Sequence, residues 1–363
     1  MADQTLTNRD LNRALLARQM LLKRERMTPA QALTRLLALQ SQFPRAPFIG
    51  LWNRIEDFKR EDLLAAIKAR EVVRSTLMRG TLHLANAEDV LAFRHTIMPP
   101  MDIMLPGGAR PPPEVMERAL GLARDHFADR PQDFDSIRAV YEREGLEPIR
   151  PLAWAARVML PLVQSHADVP FGHAPGGDFV MAKAWFGRDP EPRPQPAALL
   201  RRYLAAHGPA TPANFANWSG LQGVAAVFAE LEDELVTFRD ERKRTLYDLV
   251  DAPRPPADTP APVRLLPDFD AVVLIKENRG RVVPPEVEPH LANRNLMVPS
   301  TVLVDGVVVG TWKVDIRRKA TTVTARLFTS IAARDLKALE AEGEALARFL
   351  APDTTGAVAF EEV

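Results

Sequence analysis

The chain contains no cysteine among its 363 residues. That excludes a disulfide framework, a thiolate metal site and catalysis by a thiolate nucleophile, and it fits a reducing compartment. Aromatic residues are sparse at 7%, with only 3 tyrosines. Net charge is missing as well: Lys plus Arg and Asp plus Glu number 47 each, and the isoelectric point is near 7.1. A domain that grips a polyanion usually carries a basic excess, so this balance argues against nucleic acid unless the charges are segregated on the surface. No apolar run approaches the ~20 residues needed to cross a bilayer. The opening stretch MADQTLTNRDLNRALLARQ lacks the apolar centre and small-residue cleavage site of a secretory signal. These absences predict a cytoplasmic protein with no membrane partner, expected to be monomeric.

What is present is an ordinary globular composition, 46% apolar and 26% charged, in a chain longer than one hydrophobic core normally organises. One pattern recurs along it. Asn8 to Leu22 and Arg60 to Ala69 read as helices, and Thr28-Pro29 opens another that runs to about Leu39 before Pro44. Val72 to Leu77 and Thr81 to Leu84 then flank the short turn Met78-Arg79-Gly80. The order repeats as helices over Pro113 to Phe127, Ser136 to Glu144 and Leu152 to Gln164, followed by a Gly-rich turn and the strand Phe179-Val180-Met181. In its third appearance the helices are Pro196 to His207, one opened by Thr211-Pro212, and Leu221 to Glu234. A hairpin of Leu235 to Phe238 and Thr245 to Leu249 follows. Three helices and a two-stranded wing describe a winged-helix unit.

Beyond the Pro-rich connector Arg254 to Pro262 the period changes. Strand-like runs occur at Ala271 to Ile275, Ser300 to Val304, Val307 to Trp312 and Thr321 to Leu327, with Asp305-Gly306 as a two-residue hairpin turn. Ile331 to Leu350 is an amphipathic helix, and Ala357 to Phe360 returns as a strand. The predicted fold class is therefore α+β: three tandem winged-helix units, residues 1–105, 106–194 and 195–252, then a small antiparallel, β-barrel-like domain with a C-terminal helix over 263–363.

Three basic clusters stand out: Arg242, Lys243 and Arg244 at the third wing, Lys313 with Arg317, Arg318 and Lys319 after a strand, and Arg18, Lys23, Arg24 and Arg26 on the first helix and its exit. Such residues neutralise phosphates without reading sequence; the plainer alternative is a solvated face paired with nearby acids. Gln40 and Gln42, in Leu39-Gln40-Ser41-Gln42-Phe43-Pro44, are two apart and cannot share a face of an ideal helix. If the helix loosens before Pro44, both amides turn to one point, where uncharged carbonyls could hold a water. Two solvated glutamines at a helix end are the plainer reading. The 7 histidines show no paired metal-ligand spacing, so no metal or other cofactor is expected. His83 alternates out of an apolar strand face as an ordinary exposed or hydrogen-bonded histidine. Asp268 and Asp270 read as turn formers rather than a carboxylate pair.

Four strings in order, Ala38-Leu39-Gln40-Ser41-Gln42, Arg79-Gly80-Thr81-Leu82-His83-Leu84, Leu266-Pro267-Asp268-Phe269-Asp270 and Val304-Asp305-Gly306 to Trp312, resemble the AlkZ/YcaQ family of winged-helix DNA glycosylases over nearly the whole chain. Gln40-x-Gln42 falls on the AlkZ-like side, where YcaQ-like members carry Gln-x-Asp. The resemblance implies tandem winged-helix units and a C-terminal β-barrel around a DNA channel. It implies Gln40 and Gln42 as catalytic residues; Arg79, with Arg242, Lys243, Arg244, Lys313, Arg317, Arg318 and Lys319, is expected to contact DNA. It implies excision of bulky N7-alkylguanines and unhooking of interstrand crosslinks from double-stranded DNA, in self-resistance to an alkylating natural product. The alternatives are a non-enzymatic winged-helix regulator, against which one chain with three units and no ligand-sensing segment argues, and a YcaQ-like glycosylase of broader range.

Overall fold

The computed structural model describes residues 4–99, 103–274, 279–291 and 297–361. Helices Asn8–Arg18, Pro29–Leu36, Ala46–Trp52 and Arg60–Lys68 precede an antiparallel pair, Val72–Thr76 and Leu82–Asn86. The first two helices start at capping boxes, Thr7 with Asp10 and Thr28 with Gln31, in which side chains satisfy amides that the first turn leaves unpaired. Helices Pro113–His126, Ile137–Arg143 and Ile149–Met159 lead to strands Leu162–Gln164 and Asp178–Met181. Helices Pro196–His207, Pro212–Ser219 and Val224–Glu230 lead to the hairpin Leu235–Asp240 and Thr245–Leu249. The order of helices and paired strands is thus present three times.

The first two pairs of strands are not separate. They join edge to edge, Ser75 opposite Val163, in one six-stranded sheet whose outer members are Leu39–Gln40 and Gln132–Asp133. The third hairpin instead takes on the short strand Thr5–Leu6, parallel to Leu235–Asp240. Helices of the third repeat pack on the first hairpin: Tyr203, Phe215 and Trp218 share a core with Val73, Leu77 and Met78. That packing brings the end of the Pro212–Ser219 helix against the Met78–Gly80 turn, which decides where Arg79 points.

The C-terminal region holds five strands in the order Arg264–Leu266, Thr301–Val304, Val307–Ile316, Ala320–Leu327 and Thr355–Glu361. The first four are antiparallel neighbours; the last arrives after the helix Ala333–Leu350 and runs parallel to Ala320–Leu327. Leu339, Leu346 and Leu350 of the helix cover Leu265, Val302 and Val323 of the sheet. Asp305 and Gly306 make the expected tight turn, both at positive φ (46° and 79°).

Four expectations need correction. Among the described residues no pairing joins the two edge strands, so the C-terminal sheet is open rather than barrel-like, and one of its pairings is parallel. Ala271–Leu274 is a helical turn rather than a strand; Ile275 lies outside the described residues. The helix drawn to Gln164 stops at Met159, ahead of Pro161, and Leu162–Gln164 joins the large sheet. The helix drawn to Leu39 stops at Leu36, where Leu37 turns the chain at φ 68° and ψ −51°, and Leu39–Gln40 continues as a strand. No described helix is long and apolar enough to cross a membrane.

Candidate active site

The last of those corrections matters most. Gln40 pairs with His83 and Leu39 with Leu84 at the edge of the six-stranded sheet, and the Ser41 N–H prolongs the ladder to the Leu82 carbonyl at 2.7 Å. Gln42 follows in a bend just beyond this ladder. The segment is therefore extended at Gln40 rather than helical, and both glutamines lie beside the Val72–Thr76 and Leu82–Asn86 hairpin.

Both amides are oriented by the neighbouring hairpin. Arg79 donates from Nη2 to Gln40 Oε1 at 3.3 Å, and the Leu82 N–H donates to Gln42 Oε1 at 3.2 Å. Guanidinium and peptide N–H are donors only, so each partner fixes which end of the amide is oxygen. Each carbonyl oxygen keeps a second lone pair, and neither amide NH2 has a protein partner among the described residues. Gln40 is 9% exposed, whereas Gln42 and the adjoining Phe43 (42% exposed) reach the surface. Phe43 leans on Phe269 of the C-terminal region, with ring centroids 6.2 Å apart.

Arg79 sits in the left-handed region at φ 56° and donates its other terminal nitrogen to the Trp218 carbonyl at 2.6 Å. Desolvation lowers its pKa. His83, opposite Gln40, is buried, with Nδ1 2.9 Å from the Thr81 carbonyl. A carbonyl only accepts, so Nδ1 carries a proton. Burial and, after it, the charge of Arg79 bring the pKa down to about 3 against the opposing Thr81 carbonyl, so the ring is neutral near pH 7.

Beneath the segment lies Arg74, 2% exposed and without an ion pair among the described residues. Nε and Nη2 donate to the Ser41 carbonyl at 3.0 and 2.5 Å, and Nη2 reaches the Gln42 carbonyl at 3.3 Å. Nη1 binds the Gln164 side-chain oxygen. Gln164 in turn donates to the carbonyls of Ala174 (3.0 Å) and Gly176 (3.3 Å). A Cβ on Gly177, which has φ +61°, would stand 1.8 Å from Gln164 Nε2, so only glycine fits there. Burial first, then the charge of Arg157, brings the Arg74 pKa down to about 10.

Sequence reasoning singled out Gln40 and Gln42 as catalytic candidates and Arg79 as a DNA contact; in the structure Arg79 instead bonds Gln40 and the Trp218 carbonyl, and Gln42 is held by the Leu82 N–H. It passed over Arg74, whose signal was a charged residue in the middle of the apolar strand Val72–Thr76, and over Phe43. Of the two readings of His83, exposed or hydrogen-bonded, the bond to the Thr81 carbonyl matches the second and burial rules out the first. Asp268 and Asp270 do not pair with each other: Asp270 holds Arg54 through two bonds of 2.9 Å, and Asp268 lies 3.8 Å from Arg45.

The basic clusters lie apart from this constellation. Arg242 and Lys243 are exposed at the hairpin tip without ion pairs among the described residues, while Arg244 is bound to Asp240 at 2.7 Å. Lys313 pairs with Glu361 and Arg317 with Asp315, leaving Arg318 and Lys319 exposed and unpaired among the described residues. In the third cluster Lys23 alone is exposed without an ion pair among the described residues. Arg18 is buried in a two-pronged pair with Asp248 at 2.7 and 2.8 Å, Arg24 binds Glu342, and Arg26 binds Glu56.

The family model described as DNA glycosylase AlkZ-like matches residues 33–349. An interstrand DNA cross-link repair glycosylase of Streptomyces sahachiroi is 24% identical over 328 residues, covering 82% of this chain and 85% of that one. The solved structure of the DNA glycosylase AlkZ of Streptomyces sahachiroi superposes with a TM-score of 0.73 at 20% identity, over 99% of this chain and 100% of that one. At that identity the likeness establishes a shared fold.

Proposed function

The chain belongs to the AlkZ-like family of DNA glycosylases, and from that premise we propose that Gln40 and Gln42 hold the water that hydrolyses the N-glycosidic bond of an N7-alkylguanine in double-stranded DNA. The substrates include bulky adducts and interstrand crosslinks, the latter suggested by the name of the Streptomyces relative. In the same reading the three repeats are winged-helix units over 1–105, 106–194 and 195–252, with 263–363 as the closing β-domain. The biological setting is self-resistance to a DNA-alkylating natural product.

The observation that carries this is the fixing of both amide oxygens by donors of one hairpin, Arg79 and the Leu82 N–H. Alkylation at N7 makes the guanine cationic. When the C1′–N9 bond breaks, its electron pair goes to N9 and leaves a neutral 7-alkylguanine, so no acid is needed for departure. The sugar meanwhile gathers positive charge. Water adds to C1′ and its proton passes to solvent, leaving an abasic site. What the protein supplies is placement of that water, which carries a large share of a barrier by itself, and carbonyl dipoles aimed where the cation develops. The remaining lone pairs of the two oxygens are suited to accept the water's hydrogens. Gln42 at the surface, with Gln40 just beneath it, presents the water without a deep pocket. That suits a crosslinked base, which its tether keeps from full extrusion.

The test is base release from a duplex bearing an N7-alkylguanine by Gln40→Ala and Gln42→Ala. Removing one oriented dipole of this kind lowers the rate about 100-fold or more. Wild-type rates in both variants, with an active parent, would remove the two residues from catalysis.

A further inference from the structure

Arg79 has a second surface. Where its tip holds Gln40, its remainder and Gly80 form one wall of a cavity of about 860 Å³. The other walls come from Met98 and Met104 with their neighbours Ile97, Pro99 and Ile103, from Trp154 on the Ile149–Met159 helix, and from Leu221 in the turn after the Pro212–Ser219 helix. The cavity therefore lies where all three repeats meet. Its volume is that of a site for a drug-sized molecule, and junctions between folded units are where such sites concentrate.

Its lining is unusual for a packing gap. Met98 is 39% exposed and Met104 57% exposed, among the few large apolar side chains the fold leaves in solvent. Methionine is flexible and polarisable, so paired with Trp154 it can adapt to flat apolar groups of different outline. Beside Arg79, the polar side chains on the wall are Ser219 and Gln222.

We propose that this cavity binds the apolar, ring-bearing part of the alkyl group on the lesion, so that the adduct and not the guanine alone is recognised. The inference rests on the reading of Gln40 and Gln42 as the hydrolytic pair. Arg79 is the link: it orients the Gln40 amide on one side and walls the cavity on the other, so a substituent reaching out from N7 enters the cavity while C1′ lies at the amides. The occupant is part of the substrate rather than a separate ligand, because the cavity adjoins the candidate site through that one side chain.

The experiment compares single-turnover base release from two duplexes, one carrying 7-methylguanine and one carrying 7-benzylguanine, by the parent and by Met98→Glu/Met104→Glu. Both positions are exposed, so the fold tolerates the charge. Placing carboxylates in an apolar subsite lowers release of 7-benzylguanine by about 10-fold or more at subsaturating protein while 7-methylguanine release stays within about twofold. Trp154→Leu, on the Ile149–Met159 helix, provides a second reading with the same expected split. Equal loss on both duplexes, or loss on neither, overturns the cavity as an adduct site while leaving the hydrolytic pair in place. Release of neither base by the parent overturns the substrate reading itself and this inference with it.

Discussion

The guanidinium of Arg74 grips the carbonyl of Ser41 with two hydrogen bonds, at 3.0 Å from Nε and 2.5 Å from Nη2. Ser41 lies between the two candidate glutamines, so this grip sets the height and tilt of the segment from which both amides project. Lysine cannot reproduce a planar fork. Arg74→Lys is expected to slow base release by about 10-fold or more while DNA affinity stays near that of the parent. Arg74→Ala is expected to lower stability as well, by about 3 kcal/mol, because buried carbonyls and Gln164 lose their donors. Single-turnover kinetics, duplex binding and urea denaturation on the same preparations separate the effects.

Acid should weaken the fold through its histidines. His83, His173 and His207 are buried, and each is held down to about 3, by burial first and then by neighbouring charge: Arg79 for His83 and for His207, Arg74 for His173. In the unfolded chain each titrates near 6.5. Between those values the unfolded state binds protons that the folded state refuses, so stability is complete above about pH 6.5 and is lost as the pH falls towards 3. The slope approaches about 1.4 kcal/mol per pH unit per histidine. The urea midpoint should fall between pH 7.5 and pH 5, and His207→Gln should flatten that dependence.

Base release itself should respond differently to pH. Gln40 and Gln42 do not titrate, and His83 is neutral throughout the neutral range. The single-turnover rate should be level between pH 6 and 8.5 once protein is saturating; a bell-shaped profile would point to a titrating acid and base.

The hairpin tip gives a prediction about salt. Arg244 is committed to Asp240, whereas Arg242 and Lys243 are not. Replacing Arg242 and Lys243 with Ala should weaken duplex binding regardless of sequence and reduce the slope of log K against log salt by about 2. Arg244→Ala should change the slope less. Affinity measured over a salt series checks both, and an unchanged slope in the double variant would take the tip out of the DNA path.

Arg18 belongs to the fold rather than to a DNA surface. Its pair with Asp248 is fully buried, and its guanidinium also serves the carbonyls of Leu204 and Pro253. Arg18→Met leaves the Asp248 carboxylate with Arg254 as its remaining ion-pair partner and should cost about 3–5 kcal/mol, measured by chemical denaturation. The salt slope of duplex binding should not move.

Much of the fold was legible because its signals are local. Thr28-Pro29, Thr211-Pro212 and Asp305-Gly306 each mark a boundary through the chemistry of two residues, and each marks one in the structure. The errors came where distant partners decide. Leu39–Gln40 is a strand because Leu84 and His83 pair with it, and no local rule places a two-residue edge strand directly after a helix. Leu162–Gln164 is drawn out of its helix by the same sheet. Gln40 and Gln42 were legible as a pair of residues but not as a geometry, since that depends on Leu37 turning the chain at positive φ, a conformation that nothing in Leu-Leu-Ala-Leu announces. The cluster on the first helix and its exit misled because Arg18 and Arg24 find acids far along the chain and Arg26 finds Glu56.

Thr5 and Leu6 lie in register with Arg239 and Asp240, and this stitch has a kinetic meaning. The two partners are separated by more than 200 intervening residues, so they cannot meet until that whole stretch is available. Closing so large a loop is slow relative to local helix and hairpin formation. Docking of Thr5–Leu6 onto the third hairpin should therefore be a late event, after the hairpin itself has formed.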